Sequence, residues 1–319
     1  MPPFPKPRFA YAFAVDDQLA ALRKWRDEKS GRQIPKPRAG NLVLATWNVA
    51  NLGVQERTDD AYRLIAEIVS WFDLITVQEV NANLDGVLAI RKHLPAGYAL
   101  LFSDASGNRE RQAFFYDTAR VTQLEEVGRL AIPPAKLDQI RLPGTTTVFE
   151  GFDRGPYLGT FQAGKFELML ASVHLFFGST KPADLERRTL ETFALAWWAK
   201  KYHLDKTTYV PDLVPLGDFN LPKAVKGDRI FDALTSRGLV VPPHSSQIGS
   251  SIASDNQYDQ VAFFPGESMT RFTGQMSVFD FDGALFQDLL AQRGRDDFLA
   301  WMRYYLSDHR PLWAEFRTT

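Results

Sequence analysis

Residues 213–222 read LVPLGDFNLP. A short apolar run of strand type ends at Gly217. Asp218 and Asn220 follow, one residue apart, and Pro222 closes the segment. Residues two apart on an extended chain share a side, so a buried strand ending here would deliver a carboxylate and an amide into one cleft. Other apolar runs share the anomaly of a polar residue that is costly to bury. Asn48 ends LVLATWN, Glu79 ends LITVQE and His174 ends LMLASVH. Asp308 and His309 precede the last strand as SDHRPLW, and Asp259 sits within QYDQVAFF. A charge left alone in a dry interior is penalised by several kcal/mol. Either these residues sit at an open rim, or they share a cation and a hydrogen-bond network. Singly, each also fits a capping, solvated or satisfied core residue; the ordered set is what carries information.

Composition narrows the possibilities. The chain has 319 residues, 45% hydrophobic and 24% charged, with formal net charge −1. This is the composition of a soluble globular chain of one large or two small domains. It lacks a basic footprint, so any nucleic-acid contact must come from a local patch. The absence of Cys excludes disulfides, thiolate metal sites and cysteine nucleophiles. No apolar run approaches the ~20 residues of a membrane span. The N-terminal MPPFPKPRFAYAF has no apolar signal core, so no signal peptide is expected. The compartment stays open between bacterial cytoplasm and secretion.

Periodicity predicts helices over 16–29, 58–72, 84–94, 182–201, 227–237 and 296–306. It predicts strands over 42–49, 74–80, 98–102, 112–116, 121–126, 157–161, 166–175, 258–264, 272–279 and 311–316, besides the run ending at Gly217. Residues 30–40 form a basic, Pro-containing connector, either a solvated linker or a phosphate-contacting arm. Residues 133–156 are irregular, and loops of that length are uncommon without a purpose. Residues 242–257 are Ser-rich and are expected to form a mobile surface loop. Helix–strand alternation first and hairpins in the middle predict mixed sheets with helices outside them.

The ordered set WN, QE, strand-end His, GDFN, YDQV and SDH resembles the endonuclease/exonuclease/phosphatase superfamily. That superfamily includes deoxyribonuclease I, class II apurinic/apyrimidinic endonucleases, inositol polyphosphate 5-phosphatases and bacterial sphingomyelinases. The resemblance runs from about residue 42 to residue 316. It implies a deoxyribonuclease I-like α/β fold: a four-layer α/β/β/α sandwich with two mixed β-sheets and the site at one rim. Residues 1–40 would be an N-terminal extension and 41–319 a single catalytic domain. The implied chemistry is phosphoester hydrolysis with Mg²⁺, or with Mn²⁺ or Ca²⁺.

Hard oxygen donors without Cys suit such ions. Glu79 is the first expected metal ligand, with Asn48 beside it through its amide oxygen and Asp308 as the third contributor. By resemblance Asp218 orients or deprotonates the attacking water, and Asn220 helps hold the nucleophile or the phosphate. His309, paired with Asp259, is a base or phosphate donor. His174 donates to a phosphate oxygen or protonates the leaving oxygen. In the deoxyribonuclease branch such a His has a carboxylate partner; Glu110 is the nearest candidate, at an offset register. Arg154, Arg111 and Asn51 complete the set as substrate-binding residues, although Gly155 intervenes before Pro156 where the family has Arg just ahead of Pro. The chain's WNVANLG departs from the WNVNGL-like pattern of the apurinic/apyrimidinic endonucleases. The leading expectation is a nuclease hydrolysing DNA, with RNA as a further candidate substrate and no obligate protein partner. The alternative is a phosphatase or phosphodiesterase for a small-molecule or lipid phosphoester, favoured by the near-neutral charge. A non-catalytic binding protein is less favoured, because every expected catalytic position is filled. A polymer substrate predicts that Arg109, Arg111, Arg129, Arg141 and Arg154 line one groove.

Overall fold

In a computed structural model describing residues 3–319, alternation along single strands sets the layers. In β1 (Asn41–Leu52), Leu42 and Leu44 join one apolar cluster while Val43, Ala45 and Trp47 join another on the opposite face. In β7 (Phe166–His174), Leu168 and Leu170 meet the cluster of Leu42, whereas Met169, Ala171 and Val173 face away from it. The shared cluster therefore lies between two sheets. Each sheet turns its other face to helices.

The first sheet also contains β2 (Leu74–Asn81), β3 (Tyr98–Phe102), β4 (Glu110–Asp117), β10 (Phe272–Val278) and β11 (Leu312–Arg317), in the order β10-β11-β1-β2-β4-β3. Only its β1–β2 pair is parallel. The second contains β5 (Thr122–Arg129), β6 (Tyr157–Ala163), β7, β8 (Leu213–Asp218) and β9 (Asp259–Val261), in that order, with only β7–β8 parallel. Helices α1 (Val15–Glu28), α2 (Asp59–Val69), α3 (Asp85–His93) and α7 (Gln287–Tyr305) cover the first sheet. Helices α4 (Pro182–Leu204) and α5 (Arg229–Thr235) cover the second, and the short α6 (Glu267–Arg271) leads into β10. Thr58 caps α2 by accepting from the Ala61 amide, and Asp228 caps α5 through the Ile230 and Phe231 amides. The expected four-layer sandwich of two mixed sheets is the observed fold.

Several local expectations need amendment. The stretch before β1 packs into the core: Leu19, Leu22 and Ile34 are buried in the cluster of Trp47, with Phe9, Tyr11, Phe13 and Trp25 against it. Helix α7 starts nine residues ahead of the expected 296, because Gly294, at φ 80°, breaks it and hides its first half from a periodicity argument. Residues 242–257 are not a free surface loop. Ser246, Ser250 and Ser251 are buried. The Ser250 hydroxyl accepts from the Asp259 amide at 3.1 Å, and its carbonyl accepts from the Arg310 amide at 2.6 Å. A Ser-rich stretch reads as solvated from sequence, but here the backbone satisfies the hydroxyls internally. The irregular 133–156 stretch lays Ile140, Leu142 and Phe149 on Leu190 and Phe193 of α4.

Gly217 is required where it stands. Its φ is +136°, and a Cβ there would lie 2.1 Å from the Val173 carbonyl oxygen of the neighbouring β7. Gly217→Ala should destabilise the protein by more than about 2 kcal/mol, read as a fall in Tm by calorimetry. Leu22→Ala should cost about 2–4 kcal/mol in urea unfolding, through a single transition if the N-terminal stretch folds with the rest.

Candidate functional site

Strand pairing places three polar residues in one row. His174 is paired with Asp218 across β7 and β8, and Asp218 with Asp259 across β8 and β9. Phe219, next along the chain, turns into the helix-side core. Across the gap between sheets stand Asn48 of β1 and Glu79 of β2. The β2–β4 register shifts between Val77 and Val80, and Glu79 adopts φ 59°. This bulge turns its carboxylate inward. Glu79 Oε1 accepts from Asn48 Nδ2 at 2.9 Å, and Oε2 accepts from the Asn51 amide at 2.8 Å. Asn48 Nδ2 also donates to Asp218 Oδ2 at 3.0 Å, so one amide ties the two sheets together at the rim. Asn51 and Asn220 share the left-handed conformation of Glu79, at φ 50° and 53°. Such backbone costs on the order of 1 kcal/mol per residue and persists where the surroundings enforce it.

Two imidazoles flank Asp218. His309 Nδ1 lies 2.7 Å from Asp259 Oδ2, and its Nε2 lies 3.8 Å from Asp218 Oδ2. His174 Nδ1 lies 2.9 Å from Glu110 Oε2, and its Nε2 lies 3.8 Å from the same Asp218 oxygen and 4.0 Å from Glu79 Oε1. A carboxylate on each Nδ1 aims each Nε2 at the cleft. Burial opposes charge throughout: at His309, Asp218 and Glu110 the neighbours prevail, whereas burial keeps Asp259 above its ordinary range. Asp259 and Asp218 hold the His309 imidazolium well above its ordinary range. The two histidines, the Asn220 amide and Asn48 hold Asp218 below the usual carboxylate range. Against the same burial, His174 pulls Glu110 down to about 2. Alternation explains the offset register of Glu110: on β4 it shares the inward face with Gln112 and Phe114, and the next residue is turned away.

The donor set around Asn48 fits a hard cation. Asn48 Oδ1 is buried and accepts no hydrogen bond among the described residues. Exchanging the amide's O and N would point its oxygen at the Glu79 and Asp218 carboxylates, so the neighbours fix its orientation. Burial, with the nearby Glu79 charge, raises the pKa of Asp308. A carbonyl oxygen without a donor beside two mutually repelling carboxylates is what a divalent ion neutralises, so Asn48, Glu79 and Asp308 could hold one. Asp218, Asp259 and His309 also bring one ligand atom each within 4.8 Å of one another. There, however, His309 and Asp259 are already committed to each other at 2.7 Å. Added Mn²⁺ should raise Tm, by an increment that grows with the logarithm of its concentration above Kd, and Glu79→Gln should abolish that rise.

The remaining expected residues are placed as follows. Asn51 Nδ2 is buried without an acceptor and lines a cavity of about 200 Å³ with Val54, Glu79, Asn81, Asn108, Arg109 and Glu110. Arg154 is buried behind His174: its Nε donates to the His174 carbonyl at 2.9 Å and its Nη2 to the Leu175 carbonyl at 3.0 Å. Arg111 lies on the Ala113 face of β4 and donates to the Ser103 carbonyl at 2.7 Å; its neighbour Arg109 is the one that lines the cavity. Strand β8 stops at Asp218, so the two-residue alternation expected for Asn220 does not apply. Its left-handed turn sends Nδ2 to the Leu175 carbonyl at 2.8 Å instead. Arg129 joins Arg111 at residues 103–104 and Arg141 donates to the Asp138 carbonyl within the irregular stretch, so the five arginines expected along one groove are dispersed and only Arg109 lines the cavity. Sequence reasoning missed Arg57 and Arg188, both buried and both bonded to main-chain carbonyls around the site. Buried Arg is rare, and nothing in the local pattern separates it from exposed Arg.

No protein-family model matches the sequence, and no curated protein matches it. Solved structures share the fold. D. rerio TDP2 complexed with a single-strand DNA product matches with TM-score 0.56 at 17% identity, covering 87% of this chain and 99% of that one. The mannosyl-6-phosphatase Bt3783 of Bacteroides thetaiotaomicron matches with TM-score 0.53 at 18% identity, covering 86% and 99%. An endonuclease/exonuclease/phosphatase family protein from the same organism matches with TM-score 0.53 at 18% identity, covering 88% and 98%. The chain thus has the fold of that family over most of its length.

Proposed function

We propose that this protein is a divalent-metal-dependent phosphodiesterase; nucleic-acid strands, DNA in the first place, are the substrate to test first, although the arginines expected in a polymer groove are dispersed. The observation that carries the reading is the pair of His–carboxylate dyads, His309–Asp259 and His174–Glu110, facing one ionised Asp218. Hydrolysis of a diester by water needs a group that orients and deprotonates the nucleophile and another that protonates a poor alkoxide leaving group. Asp218, held ionised, orients and deprotonates the water. His309 donates from Nε2 to a phosphoryl oxygen, with Asp259 fixing its ring. His174, set by Glu110, delivers the proton to the leaving oxygen. Asn48, Glu79 and Asp308 hold the cation, which when bound supplies charge neutralisation at the phosphoryl group. Asn51 Nδ2 is a further donor at the cavity wall. Arg154 supports the C-terminal end of the His174 strand through its carbonyl contacts. The fold neighbours, one complexed with DNA and one named a phosphatase, support phosphoester chemistry without choosing the substrate.

Glu79→Gln, Asp218→Asn and His309→Gln should each lower turnover at least a hundredfold in folded protein, and Glu110→Gln tenfold or more. Arg111→Ala should stay within about threefold, because its guanidinium is spent on the far face of β4. The deciding assay is a panel with Mg²⁺ or Mn²⁺: plasmid, duplex and single-stranded DNA, RNA, sugar phosphates, inositol phosphates and sphingomyelin. Plasmid nicking that weakens steeply with salt supports the nuclease reading. Turnover of the small phosphoesters alone, which the net charge of −1 would suit, overturns it.

A further inference from the structure

Arg57 is buried, at 8% exposure, and its hydrogen bonds run to main-chain carbonyls. Nη2 donates to Ala50 and, at 2.9 Å, to Leu306. Nη1 reaches the Asn51 carbonyl at 3.4 Å, and Nε reaches Tyr305 at 3.2 Å. These acceptors belong to two segments remote in sequence. The first is the end of β1, which carries Asn48 and the Asn51 amide bonded to Glu79. The second is the end of α7, just before Asp308. Ser307 adds a parallel link, donating to the Asn48 carbonyl at 2.6 Å while accepting from the Ala50 amide at 3.2 Å.

We propose that Arg57 is a positioning residue for the cation site, its guanidinium setting the spacing between the Asn48–Glu79 half and the Asp308 half. The inference rests on the reading that these residues take a divalent ion. A planar fork with five donors spans four carbonyls at fixed angles; the single ammonium of Lys does not. Burial draws its pKa down to about 10, so it is still cationic at neutral pH, with the Glu79 and Asp308 charges among those favouring that form. Arg57 does not touch substrate.

The test is a titration of the whole protein with Mn²⁺ alone, in which calorimetry gives the binding midpoint and thermal unfolding gives Tm. Wild type is compared with Arg57→Lys and with Arg120→Lys, which disturbs the ion pair to Asp73 at the opposite end of β2. Arg57→Lys should need at least tenfold more Mn²⁺ to reach its binding midpoint. Arg120→Lys should lower the metal-free Tm and keep the wild-type midpoint. If the Lys variant does not fold, Arg57→Ala with and without added ethylguanidinium replaces it, and the added ion should restore the midpoint. A wild-type midpoint in Arg57→Lys, or in Arg57→Ala without the ion, overturns the positioning role. A wild type whose Tm does not respond to Mn²⁺ overturns the cation reading and this inference with it.

Discussion

One amide group holds the rim of this molecule together. Asn48 Nδ2 donates to Glu79 on its own sheet and to Asp218 on the other. Around it Glu79, Glu110, Asp218, Asp259 and Asp308 converge at the ends of strands from both sheets. That density of like charge would push the sheets apart if unanswered. The answers come from Asn48, from two imidazoles and from buried guanidinium groups. The apolar layer of Leu44, Phe161, Leu216 and their neighbours closes between the sheets while most of the rim carboxylates are met by donors or cations and the Glu79–Asp308 repulsion is left for an ion.

The left-handed residues belong to the same arrangement. Asn51, Glu79 and Asn220 stand where a regular strand would carry the side chain elsewhere. For Glu79 the departure turns the carboxylate toward Asn48, and for Asn220 it fastens the turn after β8 to β7 through Leu175. Arg154 and Arg188 hold further carbonyls of the same turns. The candidate reactive groups sit on strand ends, and the turns beside them are fastened by guanidinium–carbonyl hydrogen bonds.

The layered fold was legible in the sequence because apolar alternation, helix periodicity and turn residues agreed over most of the chain. The polar strand ends at Asn48, Glu79, His174 and Asp218 were legible too, since each interrupts an apolar run. What escaped were features set by tertiary position. Whether Glu110 or Arg111 faces the cleft depends on where β4 begins, a shift of one residue that inverts every side chain. Arg57 precedes a helix cap and looks like any surface Arg. The serines of 242–257 look solvated until the segment is seen to carry Asp259 and Arg310 on its own carbonyls and hydroxyls. Gly294 concealed half of α7 because a single residue outside helical geometry breaks the period.

The row His174–Asp218–Asp259 has a further meaning. Its members are direct neighbours across three hydrogen-bonded strands, so their backbone spacing is the interstrand repeat, roughly 4.8 Å per step. The sheet acts as a ruler with fixed graduations. Distances along the row change only in increments of side-chain length, such as one methylene between Asp and Glu, and not by gradual drift of the backbone. An arrangement graduated in this way is also portable: three adjacent strand ends of the same register, on an unrelated scaffold, would reproduce its spacing without copying the rest of the protein.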